Sequence, residues 1–299
     1  MQGSLSQIVA LVLEGNAALR GIASTGLHQH HSTLSFCEYV HFVELTMKSA
    51  GWSERRVADD PAAWFDYLKA HGFTALRMTY SPSGDPRLAE RGVTDRMLVG
   101  FVGGGGSWKI QANKSDSSDY WEVRWVVGDR QREDQKVWQV TYGRTAINDP
   151  LGEVEQPNLR ALHVEFRDIL EQIRSFAAKH GLDSFENCFV RALEDLTAEK
   201  SWNGFHKELL NPSLLTLDAL QLLSAAQSSW VFGGMGSWND LGFEGDEQQT
   251  YERLSEALYK IANWAIVAAT NSSVGSSVTV AAQSSSNALP KQKWWRLFS

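Results

Sequence analysis

Apolar and polar residues alternate cleanly in the middle third of the chain. Trp121, Val123, Trp125 and Val127 alternate with Glu122, Arg124 and Val126. Val137 to Tyr142 repeat that two-residue period, as do Trp108, Ile110 and Ala112. A strand sends successive side chains to opposite faces, so each run gives one tryptophan-bearing face. Turn-rich links, Ser115 to Asp119 and Gly128 to Asp134, separate the runs by hairpin-scale distances. The pattern predicts an antiparallel meander with one face packed on helices.

The period changes near Asn148-Asp149-Pro150. From Pro157, the apolar residues Leu159, Leu162, Phe166, Ile169, Ile173 and Phe176 fall three or four apart, one seam along a helix that Gly181 closes. Asp183 with Glu186 three residues on reads as the capping-box start of a second helix, burying Phe185, Phe189, Ala192 or Leu193, and Leu196. Asn211-Pro212 opens a third, apolar nearly all round from Leu214 to Leu223, and Asp246 to Thr270 forms a fourth. Four helices on short links predict a bundle.

Before the meander, Ser4 to Ser24 reads as a helix and Leu34 to Met47 as a β-rich stretch. Asp60 is placed to cap a short helix with Pro61 in its first turn and Gly72 behind His71, and Trp64, Phe65 and Leu68 as its inner face. The fold class expected is therefore α+β. An antiparallel sheet with flanking helices occupies residues 1–147, a helical bundle-like half residues 148–270, and a linker with a terminal motif residues 271–299.

That last segment is the most specific feature of the sequence. Residues 271–290 carry no charge, and then come Lys291, Gln292, Lys293, Trp294, Trp295, Arg296, Leu297, Phe298 and Ser299. Nine residues cannot bury two Trp, a Leu and a Phe against one another, so these side chains dock elsewhere. A linker of about twenty residues has a root-mean-square span of roughly 25 Å. Three destinations compete: a groove on a protein partner, a weak contact with a membrane surface, and self-docking on this chain or a sister copy. Lys293, Trp294, Trp295, Arg296, Leu297 and Phe298 are the expected partner-binding residues. Three cations and four apolar side chains are marginal for stable membrane anchoring.

Charge narrows the partners. The net charge is −7, and setting aside the three cations after residue 270 leaves −10 on the rest. An acidic body argues against broad nucleic-acid binding, which needs a basic surface to displace counterions. Two cysteines far apart, Cys37 and Cys188, and a start without the basic flank of a signal peptide lead to an expectation of a cytoplasmic protein.

Two glycine motifs resemble sites. Gly103 to Gly106 follow the apolar run Met97 to Phe101, yet no Lys-Ser/Thr pair comes after them, and the expected role is a hairpin connection. The second motif, Trp230 to Asp240, sits where the chain reverses between the third and fourth predicted helices. There glycines end a helix, Trp238 plugs back into the bundle, and Asn239 and Asp240 bond local amides. Its other reading is a ligand or partner loop built on Gly233, Gly234, Gly236, Trp238 and Asp240.

The remaining candidates are weaker. His28, His30, His31 and His41 with Glu44 invite a metal reading, but no third ligand falls at fixed spacing, and a solvated loop is expected. Glu38 and Glu44 share strand parity, Cys188 reads as a core thiol, and Cys37 lies too far from His41 along a strand to pair with it. No cofactor or metal is expected, and no residue is assigned a catalytic role. The functional expectation is a non-enzymatic interaction or accessory protein. The alternative is an enzyme or ligand binder with a pocket between the sheet and the helical half, near the two glycine loops.

Overall fold

The computed structural model describes residues 1, 3–22, 27, 30–48, 51–101, 103–151, 158–199 and 206–275. In chain order its elements are helix α1 (Gly3–Arg20), strands β1 (Cys37–Lys48) and β2 (Gly51–Ala58), helix α2 (Pro61–Ala70), strand β3 (Ala75–Ser81), short helices α3 (Pro86–Glu90) and α4 (Asp95–Leu98), strands β4 (Ser107–Asn113), β5 (Ser117–Val127) and β6 (Trp138–Pro150), and helices α5 (Leu159–Lys179), α6 (Asp183–Asp195), α7 (Leu217–Ser228) and α8 (Gly245–Asn271). The fold is α+β. The six strands form one sheet in the order β2-β1-β6-β5-β4-β3. Strands β4, β5 and β6 make the antiparallel meander of the alternating run. The sheet is mixed because β1 lies parallel to β6, with Val40 opposite Val140 and Phe42 opposite Tyr142. No described helix is long and apolar enough to cross a membrane.

The chain separates into two compact units, each assembled from distant segments. The first comprises Met1–Leu13, Met78–Trp108 and Gln156–Ser273; the second comprises Glu14–Arg77 and Lys109–Glu155.

In the second unit, α2 starts and stops as its sequence dictates. Asp60 caps it by accepting the Ala63 N–H at 2.8 Å, and Gly72 beyond the last turn has φ +78. The inner residues Trp64, Phe65 and Leu68 are buried. Trp64 stacks on Phe42 at 4.3 Å and meets Trp121 edge-on at 5.4 Å, so the predicted aromatic sheet face does pack on a helix. Each such buried ring contributes about 1.5–3 kcal/mol. The face ends in a polar cluster, where the Glu44 carboxylate accepts from Tyr67 Oη at 2.8 Å and from Arg144 Nη1 at 2.9 Å, and also pairs with Arg55. Burial alone would raise the Glu44 pKa, but these donors outweigh it and hold it below the usual carboxylate value. The Tyr67 hydroxyl is pushed up to about 12, by burial first and by the adjacent Glu44 next. Strand β6 runs on through Asn148-Asp149-Pro150, where the sequence suggested a boundary, because Ser117 and Ser118 of β5 still pair with Pro150 and Asp149.

In the first unit, α5 packs on α6, α7 and α8, and α7 packs on α6 and α8. The α5 seam is buried at Leu162, Phe166, Ile173 and Phe176, with Leu170 rather than Ile169 as its middle member. Helix α6 begins at Asp183 as expected, but Leu182 is its N-cap and no side chain caps it, so the capping box does not form. Helix α7 begins at Leu217 and not at Asn211, because Asn211 turns the chain by accepting the Ser213 N–H at 2.9 Å and Thr216 supplies the cap. Residues 5–13 of α1 are buried on every side, the polar Ser6 and Gln7 included.

Strand β3 lies at the sheet edge, and asparagine amides occupy part of its free backbone. In the second unit, Asn16 accepts from the Leu76 N–H at 2.7 Å and donates to the Leu76 carbonyl at 2.9 Å. In the first unit, Asn271 does the same for Met78, at 2.8 and 3.0 Å. Each amide stands in for a neighbouring strand, and an edge that would otherwise invite foreign pairing is closed. Asn271→Ala leaves a buried N–H and C=O unpaired and is expected to lower stability by about 2–4 kcal/mol. Urea unfolding measures it, and a loss below about 0.5 kcal/mol would show that the amide carries no such role.

Candidate functional site

The two glycine-rich segments meet within the first unit. A Cβ added to Gly100 would stand 2.9 Å from the Gly234 nitrogen and 3.1 Å from the Gly233 Cα, so the two backbones touch where neither has a side chain. Gly233, Gly234 and Gly236 have φ of +87, +87 and +76, a region other residues enter only with strain. On the facing segment, the run Met97 to Phe101 is not a strand. Phe101 N–H donates to the Leu98 carbonyl and Gly104 N–H to the Phe101 carbonyl, a helical turn unwinding into a tight turn. The expected hairpin connection is therefore a turn between α4 and β4. It is pinned where Tyr259 of α8 donates its hydroxyl to the Gly105 carbonyl at 2.7 Å. Burial pushes the Tyr259 hydroxyl up to about 12.

Trp238 anchors the second loop. It forms a 3-10 turn with Asn239 and Asp240, and its side chain is fully buried. Phe185, Phe189 and Tyr251 surround the indole with ring centroids at 5.2, 5.3 and 5.6 Å. Its N–H donates to Ser255 Oγ at 2.7 Å, and its carbonyl accepts the Tyr251 hydroxyl at 2.6 Å. An indole ring so placed meets both its apolar and its polar requirement. Asp240 accepts the Gly236 N–H at 2.5 Å, closing the glycine turn.

Arg96 joins the two segments. Its side chain is 1% exposed, donates to Glu252 at 2.5 Å and to Glu256 at 3.0 Å, and lies 5.6 Å from the Tyr251 ring centroid. Its third bond goes to Asn239 Oδ1 at 2.6 Å, and Asn239 Nδ2 returns one to the Arg96 carbonyl at 2.8 Å. A buried guanidinium is tolerated only when its donors are matched in this way. Sequence reasoning passed over Arg96. The available signal was a cation directly before the apolar run Met97 to Phe101.

Of the proposed ligand or partner loop, Trp238 and Asp240 are thus engaged inside the loop's own architecture, and Gly233, Gly234 and Gly236 supply its backbone geometry. What the loop presents outward is Met235, fully exposed at its tip, and Phe101 on the abutting segment is 69% exposed. An open groove between α5 and α8 has Phe176 and Leu254 at its floor and Asp168, Glu171, Glu247 and Arg253 among its walls. Glu247 there pairs with Lys179 and, at 3.2 Å, with His180.

The other candidates do not converge. Lys293, Trp294, Trp295, Arg296, Leu297 and Phe298 lie outside the described residues, as does His28. His30 is exposed, whereas His31 is buried with Nδ1 at 2.8 Å from Thr33 Oγ1, so the expected solvated loop is partly core. His41 stacks on Tyr39 at 3.9 Å, and burial and then Arg56 lower its pKa. The shared parity of Glu38 and Glu44 is broken by a register shift between Cys37 and Tyr39. Glu38 instead meets Arg132 and Gln139. Cys37 is buried, and Cys188 is half-buried rather than a core thiol. Among the described residues, no group of three or more His, Cys, Asp and Glu side chains is placed to hold a metal ion.

Compared with protein families, curated proteins and solved structures, the chain matches none.

Replacing Trp238 separates packing from hydrogen bonding. Trp238→Ala is expected to cost about 3–5 kcal/mol. Trp238→Phe keeps most of the ring but loses the bond to Ser255, at about 1–2 kcal/mol. Chemical denaturation decides. A loss under about 1 kcal/mol for Trp238→Ala would mean that the indole is not an anchor.

Proposed function

We propose that this chain is a non-enzymatic cytoplasmic interaction protein that engages a protein partner through residues 291–299. One observation carries the reading: four large apolar side chains and three cations fall within nine residues, without an acid, behind a charge-free stretch. Aromatic residues and arginine dominate binding hot spots, because they bury large areas and give directed polar contacts. A tethered segment raises the effective concentration of such a motif near its target. The geometry of the glycine loop adds support. Asp240, the polar side chain that a ligand-loop reading would use, accepts from the Gly236 N–H instead.

The test compares the full chain, a chain ending at Leu289, and Trp294→Ala/Trp295→Ala as baits in lysate of the source organism. A protein retained by the full chain and lost from both variants is expected, and once purified it should bind a synthetic peptide of residues 290–299. Melting temperatures of the three baits should agree within a few degrees. Equal capture by all three would sink the docking reading, and a collapse of the truncated chain would make the segment part of the folded core.

A further inference from the structure

We propose that residues 291–299, when no partner holds them, dock on the Phe101–Met235 surface of the same chain. The inference rests on reading those residues as a docking segment, and adds the site that shelters them.

The surface is apolar, held in place, and carried by segments that bear acidic side chains. Met235 and Phe101 are among the most exposed large apolar side chains of the described residues. They follow Gly234 and Gly100, whose backbones touch, so the two side chains are carried on abutting segments. Both segments are anchored in the unit below them, one through Trp238 and the other through Arg96 and Tyr259. Anchoring removes much of the ordering cost of presenting exposed apolar groups. Methionine beside an aromatic ring is a polarisable surface that suits indole rings.

Charge selects the occupant. Glu252 and Glu256 share the single cation of Arg96 and keep 36% and 41% of their side-chain surface exposed. Asp240 lies on the Met235 loop and Asp95 next to Arg96. Lys260 lies one turn beyond Glu256 on the same face of α8, so four carboxylates against Arg96 and Lys260 leave a local excess of two negative charges, and Lys291, Lys293 and Arg296 bring three positive ones. Arg253, also on α8, lines the groove toward α5 instead. That groove is the poorer host, because Lys179 and Arg253 already offset its three carboxylates to a net of one.

Chain length permits the contact. From Glu256 to the end of α8 at Asn271 is about 22 Å of helix. The sixteen steps along the chain from Gly275 to Lys291 can span up to about 55 Å. Those between them carry no charge, so nothing in the tether opposes approach to an acidic surface. A partner for residues 291–299 would then compete with Met235 and Phe101 for the two Trp rings.

The test is a methyl spectrum of the full chain labelled at its five methionine ε-methyl groups, with Met235 assigned through Met235→Leu. The Met235 methyl should lie upfield through ring currents and return to the position of an exposed methionine in Trp294→Ala/Trp295→Ala. The shift should shrink at high salt and be independent of protein concentration. An unshifted Met235 methyl that the double substitution does not move would overturn the proposal, and so would a shift that disappears on dilution, which assigns the contact to a second copy. Partner capture lost in the double variant beside an unmoved Met235 would retain the proposed function while removing the self-docking.

Discussion

A buried guanidinium determines how the first unit presents its loops. Burying the Arg96 guanidinium is costly unless its nitrogens find oxygens, and those oxygens come from Glu252 and Glu256 on α8 and from Asn239 on the loop before it. Satisfying that one side chain therefore ties α4, the 3-10 turn and α8 together. Trp238, next to Asn239, is driven into the aromatic cluster of Phe185, Phe189 and Tyr251 by the same placement. The glycines follow as a consequence. With both segments drawn onto α8, their backbones meet at Gly100 and Gly233, where a Cβ on either would stand 3.1 Å from the other's Cα.

A loop held in this way differs from a disposable connection. Its interior-facing side chains are committed to structure, and its outward residue, Met235, is exposed at the tip. In the second unit the large aromatics Phe42, Trp64, Trp121 and Tyr142 are buried, the charges Glu44, Arg55 and Arg144 meet one another at the end of the aromatic face, and Phe36 and Met47 stay exposed.

Much of this architecture was legible in the chain. Helix α2 carries its start in Asp60-Pro61 and its stop in Gly72, all local signals, and the alternation through Trp121 and Trp125 gave the strands of the meander. What escaped depends on contacts distant in sequence. The parallel pairing of β1 with β6 joins residues about a hundred apart, and β2 hides behind three consecutive charged residues, Glu54, Arg55 and Arg56. The start of α7 was misjudged because Asn211-Pro212 resembles a helix opening, although the Asn211 side chain folds it into a turn. For the candidate loop, the plug role of Trp238 could be read from the sequence. Arg96, which ties the neighbouring Asn239 to α4, lies 143 residues away from it, and its place before an apolar run marks the cation without naming its partner.

Amide hydrogen exchange tests the locked loop most directly. The Trp238 N–H donates to the Val231 carbonyl at 3.0 Å across the glycine turn, beneath a buried indole. If Arg96 and Trp238 hold the loop as described, this amide exchanges only through global unfolding, as slowly as those of the α8 interior. Exchange on the timescale of an open surface loop would contradict the account, because the segment carrying Met235 would then move independently of the helices beneath it.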